Sequence, residues 1–120
     1  MDNNQRATVA YLCGCLHSSN LPSHASVFDY SQNAFVPCSF SNSGGQIMVF
    51  DYNRACYLNG RYPTFYDYGV SQYITLSKIG NNMYNVYDYQ TSSFLSITCM
   101  GNNISVYDYA LSQYFNYSLN

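Results

Sequence analysis

The chain has 120 residues, of which 8% are charged and 18% are aromatic, and its formal net charge at pH 7 is -2. This length suits one domain that buries a core without help from disulfides or metals. With four basic residues in all, the chain has little with which to neutralise phosphates, so duplex nucleic acid is excluded as a partner. The many Tyr, Ser and Asn residues and the absence of Glu favour strands over helices.

Residues 1–24 form an N-terminal segment outside the pattern of the rest of the chain. Its apolar run from Ala7 to Leu16 fits either a strand or a short helix, and periodicity does not decide between them. Residues 18–23, with Pro22, are predicted to end that element. The run lacks the basic start of a signal peptide and is too short to span a membrane. We therefore expect no membrane partner. The absence of a visible export signal favours a cytoplasmic location, while the Tyr-, Asn- and Ser-rich composition also suits a surface or secreted protein.

The cysteines are odd in number and irregularly spaced, which argues against a disulfide framework and favours reduced thiols. They are Cys13, Cys15, Cys38, Cys56 and Cys99. Cys13 and Cys15, with His17 and His24, have a composition that zinc accepts, but a second pair at the usual spacing is missing. Small apolar core residues are the favoured interpretation, so neither a metal nor another cofactor is expected.

From residue 25 to residue 120 the chain carries five copies of Asp-Tyr, each with an aromatic six residues after the aspartate. The aspartates are Asp29, Asp51, Asp67, Asp88 and Asp108. Their spacing of about twenty residues, with strand-like patterning between them, indicates tandem units of strand, four-residue loop, strand and longer turn. Most longer turns contain Gly or Asn, as in Gly101-Asn102-Asn103. Asn59-Gly60 is predicted to form a two-residue hairpin turn that shortens the second unit.

Alternation along these strands predicts one aliphatic face and one face of Tyr, Ser, Thr and Asn. Leu95, Ile97 and Cys99, for example, alternate with Ser96 and Thr98, as in half-buried antiparallel sheets. The predicted fold is all-β, an antiparallel up-and-down meander of about ten short strands from five hairpin repeats. Closing it as a small barrel with the aliphatic face inward removes exposed edges. A two-sheet sandwich and a ring of two-stranded units are the alternatives.

In such a meander the five repeat aspartates reach the same end of the sheet, so closure would gather them into a rim of carboxylates. A rim of this kind suits a hard cation such as calcium, or the hydroxyls of a sugar. The favoured interpretation is that each aspartate accepts hydrogen bonds from the backbone of the loop that follows it. Each copy offers one carboxylate, whereas a calcium loop places two or three oxygen ligands close together.

The candidate ligand-binding residues are tyrosines on the sheet face that the aliphatic residues leave free. They are Tyr30, Tyr52, Tyr66, Tyr68, Tyr87, Tyr89, Tyr107 and Tyr109. Tyrosine gives a large rigid contact area with a polar tip and is enriched at recognition surfaces. Cross-strand pairing explains the same residues without a ligand, as does burial beneath a partner subunit or the N-terminal segment.

The dipeptides Tyr87-Asp88 and Tyr107-Asp108, at a period near twenty, resemble the YD repeats of bacterial Rhs-type shell proteins, whose strands wind into a large shell. No copy here is followed by the Gly-Arg-Leu turn of those repeats, and a Tyr comes directly after each Asp. The resemblance covers the dipeptide alone, so no property is carried over from it.

The residue content does not favour an enzyme. Two His, no Glu and no Gly-x-Ser-x-Gly context give no spacing from which to argue a catalytic pair. The first hypothesis is a non-catalytic binding or interaction module whose Tyr/Ser/Asn face or Asp-bearing loops contact a polar ligand, a glycan or a protein partner. The alternatives are a structural protein that self-assembles as a homo-oligomer, and a barrel that carries a small apolar ligand.

Overall fold

The computed structural model describes residues 1–18 and 24–120, so residues 19–23, most of the predicted break, lie outside the described residues. The described chain contains one helix and ten strands. They are α1 (Asn3–His17), β1 (Ser26–Asp29), β2 (Ala34–Ser43), β3 (Gln46–Asp51), β4 (Cys56–Arg61), β5 (Thr64–Asp67), β6 (Gln72–Lys78), β7 (Met83–Asp88), β8 (Ser93–Met100), β9 (Asn103–Asp108) and β10 (Gln113–Leu119).

The strands form one closed antiparallel barrel. Each strand pairs with its neighbours in the chain, and β10 pairs back with β1. In the closing pair Val27 lies opposite Leu119 and Asp29 lies opposite Tyr117. The predicted all-β meander closed as a barrel is therefore confirmed, in preference to the sandwich and the ring of two-stranded units.

The inner face of the barrel is aliphatic, as the alternation predicted. Along β7, Tyr84, Val86 and Asp88 are buried, while Asn85 and Tyr87 between them are only partly buried. The same alternation runs through β8 and β9. Successive side chains of each strand thus point alternately to the core and to the outer surface.

Helix α1 lies inside the barrel. Every residue from Gln5 to Cys15 is buried, which requires packing partners on all sides of the helix. The helix approaches β1, β2 and β3 as well as β8, β9 and β10, and it shares one core with the inward side chains of the strands. Helix α1 therefore does not cover the outer tyrosines, so this part of the N-terminal segment does not explain them.

Two local features place the helix. The Asp2 side chain caps its start, where Oδ1 accepts a hydrogen bond of 2.8 Å from the Gln5 backbone N–H, as short polar side chains commonly do. Near the other end, a Cβ built on Gly14 would lie 2.5 Å from Ile104 Cδ1 and 2.9 Å from Leu119 Cδ1. Glycine at this position lets the helix approach β9 and β10 closely.

The predicted Asn59-Gly60 turn is wrong. Both residues lie within β4, where Gly60 pairs with Phe65, and the two-residue connection is Tyr62-Pro63, which contains a cis peptide bond. Proline in the cis form is the residue that defines a type VI turn. A Cβ on Gly60 would meet the Thr64 carbonyl oxygen at 2.3 Å. Glycine at this position therefore allows β4 and β5 to approach closely. The sequence alone does not distinguish this role of a glycine from its role in a turn.

We call two strands joined by an Asp-bearing loop a unit, so the units are β1–β2, β3–β4, β5–β6, β7–β8 and β9–β10. At three seams between units the aspartate lies opposite the residue seven after the preceding unit's aspartate. These pairs are Asp67 with Leu58, Asp88 with Ile74 and Asp108 with Leu95. At both borders of the first unit the partner is nine residues on, as for Asp51 with Cys38 and Asp29 with Tyr117. The first hairpin is therefore offset by two residues from both neighbours.

The interior position of α1 predicts that Leu12→Ala lowers the free energy of unfolding by about 2–5 kcal/mol, because Leu12 is fully buried and its truncation leaves a cavity. Leu111→Ala is the matched control, since Leu111 is 53% exposed and should change stability by less than about 0.5 kcal/mol. Urea unfolding measures both. Equal and small effects of the two changes would show that the helix does not pack inside the barrel.

Candidate functional site

The five repeat aspartates lie on the inner face, at the end of the barrel where α1 begins, and each side chain is buried. In every copy Oδ1 accepts a hydrogen bond of 2.8 to 3.0 Å from the backbone N–H two residues on. The donors are Ser31, Asn53, Gly69, Gln90 and Ala110. This is the loop-capping geometry of an Asx turn. Closure therefore gathers the carboxylates at one end, with each one engaged by its own loop.

The loops share a second backbone feature that the sequence did not reveal. The fourth loop residue is left-handed in each copy, with φ between 51° and 54°. These residues are Asn33, Ala55, Ser71, Ser92 and Ser112. No glycine occupies the position, so the usual signal for a left-handed residue is missing from all five loops.

Two arginines neutralise part of the carboxylate ring. Arg6, buried on α1, donates from Nε to Asp108 at 3.0 Å, and its guanidinium stacks 3.9 Å from the Phe115 ring centre. Arg54 donates from Nε to Asp51 at 2.6 Å and from both terminal nitrogens to Asp67 at 3.1 Å. The sequence predicted neither contact, since both arginines entered it only as two of four basic residues. The available signal was the position of Arg54, three residues after Asp51.

The two remaining aspartates are satisfied by side chains of their own loops. Asp29 accepts from Ser31 Oγ and Gln32 Nε2, and Asp88 accepts from Thr91 Oγ1 at 2.9 Å. Across residues 1–18 and 24–120, no group of three or more His, Cys, Asp or Glu side chains is arranged to hold a metal ion. The hydrogen bonds of the five aspartates therefore explain their positions by the structure of the loops that follow them.

The cysteines and histidines near the N-terminus do not converge. Cys13 and Cys15 lie two apart on a helix, and residues at that spacing point to different sides, whereas a strand would have placed them on one face. The rings of His17 and Tyr84 form a T-shaped pair with centres 6.1 Å apart. The backbone carbonyl of His24 accepts a hydrogen bond from the Tyr11 hydroxyl. All five cysteines are free, and four of them are buried.

The outer surface at the same end of the barrel carries five aromatic triads. Each triad consists of the aromatic directly before the aspartate, the Tyr directly after it and the aromatic six residues after it. In every copy the first ring lies edge-to-face with the other two, with ring centres 4.7 to 4.9 Å apart. The first and last members are directly cross-strand, as in Tyr87 opposite Phe94. Pairs at this distance and angle stabilise each other.

The tyrosines singled out from sequence occupy two positions in these triads. The Tyr after each aspartate is between 50% and 59% exposed, which applies to Tyr30, Tyr52, Tyr68, Tyr89 and Tyr109. The central rings of the last three units are half-buried beneath their neighbours, which applies to Tyr66, Tyr87 and Tyr107. The last member of each triad, such as Tyr73 or Phe94, is also exposed. Sequence reasoning left these residues out of the candidate site.

Two surface grooves lie between the triads of neighbouring units, at borders where the aspartate pairs with the residue seven after the preceding aspartate. We call these borders regular seams. The groove at the β6/β7 seam has a volume of about 320 Å³ and is lined by Thr64, Gln72, Tyr73, Thr75 and Tyr89. The groove at the β8/β9 seam has a volume of about 240 Å³ and is lined by Asn85, Phe94 and Tyr109. In each case one aromatic is the last member of one triad and the other is the Tyr that directly follows the aspartate of the next unit.

Comparison of the chain with known protein families, with curated proteins and with solved structures found no match. Within residues 1–18 and 24–120, no helix has the length and apolar character needed to cross a membrane.

The hydrogen bonds of Asp88 predict that Asp88→Ala lowers the free energy of unfolding by about 0.5–2 kcal/mol, the range found for lost side-chain caps of a backbone N–H. Asp88→Asn keeps an oxygen that can accept from Gln90 N–H, so it should lose much less. Urea unfolding with and without calcium measures both effects. A shift of the wild-type transition by calcium that both variants abolish would overturn the loop-capping role.

The buried thiols predict that stability falls in alkaline solution. Burial raises the pKa of Cys15 and Cys99 to about 11 and that of Cys38 to about 12, whereas an unfolded thiol ionises near about 8.5. The folded state then holds more protons than the unfolded state above that value, so the free energy of unfolding decreases as pH rises from 8 to 9.5. Urea titrations at the two pH values measure this decrease. Cys99→Ala should reduce this decrease. Cys56→Ser should reduce it less, because burial raises the pKa of the partly exposed Cys56 thiol to a smaller extent. An unchanged free energy in the wild type would contradict the prediction.

Proposed function

We propose that the protein is a non-catalytic binding module that uses the aromatic triads on the outside of the barrel to contact a polar ligand or a protein partner. The observation that carries this proposal is the presence of the same exposed triad in all five units. Exposed aromatic surface costs free energy in water, and a row of such patches is typical of interaction sites.

The geometry of the triads favours recognition. The central ring holds its two neighbours at fixed distances of 4.7 to 4.9 Å, so the exposed rings have little freedom left to lose when a ligand binds. Preorganisation of this kind raises affinity by reducing the entropic cost of association. Tyrosine also offers a hydroxyl at the edge of the apolar ring, which suits ligands with mixed polar and apolar surfaces.

The carboxylates support a binding role over a catalytic one. The five repeat aspartates lie on the opposite face of the sheet from the triads and are buried. Each accepts a backbone hydrogen bond from its loop, and Arg6 and Arg54 pair with three of them. A general acid or base must reach the proton that it transfers, and these groups face the helix instead of the outer surface.

The repetition adds a further advantage. Five similar patches around one barrel allow several weak contacts with a repetitive ligand, and linked contacts of this kind raise the overall affinity above that of each one. The interior, by contrast, holds α1 together with large side chains of the strands next to it. This arrangement makes the outer surface a better candidate than the lumen, which a carrier of an apolar ligand would need.

Replacement of three exposed tyrosines tests the proposal. We expect the variant Tyr68→Ser, Tyr89→Ser and Tyr109→Ser to fold, because these side chains are at least half exposed, and to lose binding by at least about tenfold for any ligand found on a glycan array or by cross-linking. Tyr62→Ser is the control, since Tyr62 is exposed at the opposite end of the barrel. Equal binding by wild type and triple variant would contradict the proposal.

Self-association through the triads is the competing use of the same surface. Sedimentation velocity at low and high protein concentration separates the two cases. If the wild type forms an oligomer and the triple variant is a monomer, the triads have a structural role in place of ligand binding. A wild type that stays monomeric, together with ligand binding lost in the triple variant, would support the binding module.

A further inference from the structure

We propose that the grooves at the β6/β7 and β8/β9 seams are binding subsites for the sugar rings of a neutral oligosaccharide. This inference rests on the proposed binding function and names both the ligand class and the place where it binds. Neither groove could be identified from sequence, because each one combines residues from two units that are brought together only by the closed sheet.

The β6/β7 groove combines two exposed aromatic rings with polar side chains. Tyr73 is the last member of one triad and Tyr89 is the Tyr after the aspartate in the next. Tyr89 N–H donates a hydrogen bond of 3.3 Å to the Tyr73 carbonyl. This bond fixes the two residues relative to each other at the sheet. Thr64, Gln72 and Thr75 supply hydroxyl and amide groups to the same groove.

The β8/β9 groove repeats the arrangement one unit further around the barrel. Phe94 is the last member of its triad and Tyr109 is the Tyr after the aspartate in the next. Tyr109 N–H donates to the Phe94 carbonyl at 3.2 Å. Asn85 lines this groove with an amide. Adjacent strands lie about 4.8 Å apart, so grooves two strands apart are separated by roughly 10 Å across the sheet. Two sugar units of an extended chain cover a distance of this size.

The chemistry of the lining matches a pyranose. One face of a sugar ring exposes C–H groups that pack against an aromatic ring, while its edge carries hydroxyls that both donate and accept hydrogen bonds. The rigid aromatic side chains can pack against the C–H face of the sugar, and the Thr, Gln and Asn side chains can donate to and accept from its hydroxyls. The β6/β7 groove, at about 320 Å³, lies at the small end of the range for small-molecule sites, and the β8/β9 groove, at about 240 Å³, lies below it. Each groove therefore suits no more than one sugar ring.

The lack of charged side chains in the lining of the two grooves favours a neutral ligand. Among the described residues that line the two grooves, none is charged. Phosphate or sulfate groups require basic partners for strong hydrogen bonds, and single-stranded nucleic acid requires a basic groove beside its stacking rings. A neutral oligosaccharide satisfies both the aromatic and the polar groups without leaving a charge unpaired.

The offset of the first unit supplies a matched control. Tyr114 holds the same triad position as Tyr73 and is 67% exposed. At its seam, however, the next unit is shifted by two residues, so Tyr30 N–H donates to the Asn116 carbonyl and not to that of Tyr114. Tyr114 therefore has the exposure and the triad contacts of Tyr73 without the same seam geometry beside it.

The test measures binding of the neutral hexasaccharides cellohexaose, chitohexaose and maltohexaose by isothermal titration calorimetry, with a heparin hexasaccharide and a short oligothymidylate as charged probes. We expect at least one neutral hexasaccharide to bind and Tyr73→Ser to weaken it by about tenfold, equivalent to about 1.4 kcal/mol. Tyr114→Ser, which removes a triad ring without the same seam geometry beside it, should weaken binding clearly less than Tyr73→Ser does. Thr75→Val, which removes one hydroxyl and keeps both rings, should weaken binding several-fold and serves as the second variant if Tyr73→Ser is unstable.

The outcomes distinguish this inference from the proposed function. Equal weakening by Tyr73→Ser and Tyr114→Ser would overturn the grooves as the binding site and leave the triads as a binding surface. Binding of the charged probes alone, or of a protein partner alone, would overturn the sugar class while the proposed function stands. Binding of none of these probes, together with a blank glycan array and no cross-linked partner, would remove both.

Discussion

The fold depends on filling the interior of a ten-stranded barrel. Eight strands leave a lumen that their own side chains can fill, and a larger barrel leaves space that must hold something else. Here α1 takes that space, and its residues from Gln5 to Cys15 are buried on all sides. Removing the helix would leave an apolar cavity along β1–β3 and β8–β10, so the barrel and its N-terminal segment form one core.

The carboxylate ring follows from the way the helix enters. The positive end of the helix dipole and the Arg6 side chain both lie at the end of the barrel that carries the five aspartates, and negative groups are favoured near a helix N-terminus. Thr8 on the helix donates to Asp51 at 2.8 Å, and Arg54 bridges Asp51 and Asp67. Unpaired buried charge is costly, so these contacts allow the loops to keep Asp in a position that faces the core.

The antiparallel strands and their inward aliphatic face could be predicted from strand alternation, and closure of the sheet could be predicted because it removes exposed edges. The helix could not, for a physical reason. A helix buried on all sides has no polar stripe, so the run from Ala7 to Leu16 shows neither a clear 3.6-residue nor a two-residue period. Gly60 was misassigned because glycine serves turns and close strand packing alike, and only the paired strand shows that Phe65 and the Thr64 carbonyl leave no room for a Cβ.

Those residues of the candidate site that recur within each single unit could be predicted from the sequence. Tyr89 and Tyr109 stand out because the Asp-Tyr motif repeats, but the grooves require partners such as Tyr73 and Phe94 from the preceding unit, and their meeting depends on inter-unit register.

That register also explains why a repeated sequence need not give five equal sites. Barrel closure fixes the total stagger of the strands around the ring, and in this chain the two larger steps fall on either side of the first hairpin. The remaining units stay in regular register, and the grooves at the β6/β7 and β8/β9 seams lie within this run. Closure of the sheet thus divides five similar motifs into one displaced unit and a run of four that present neighbouring rings in the same way.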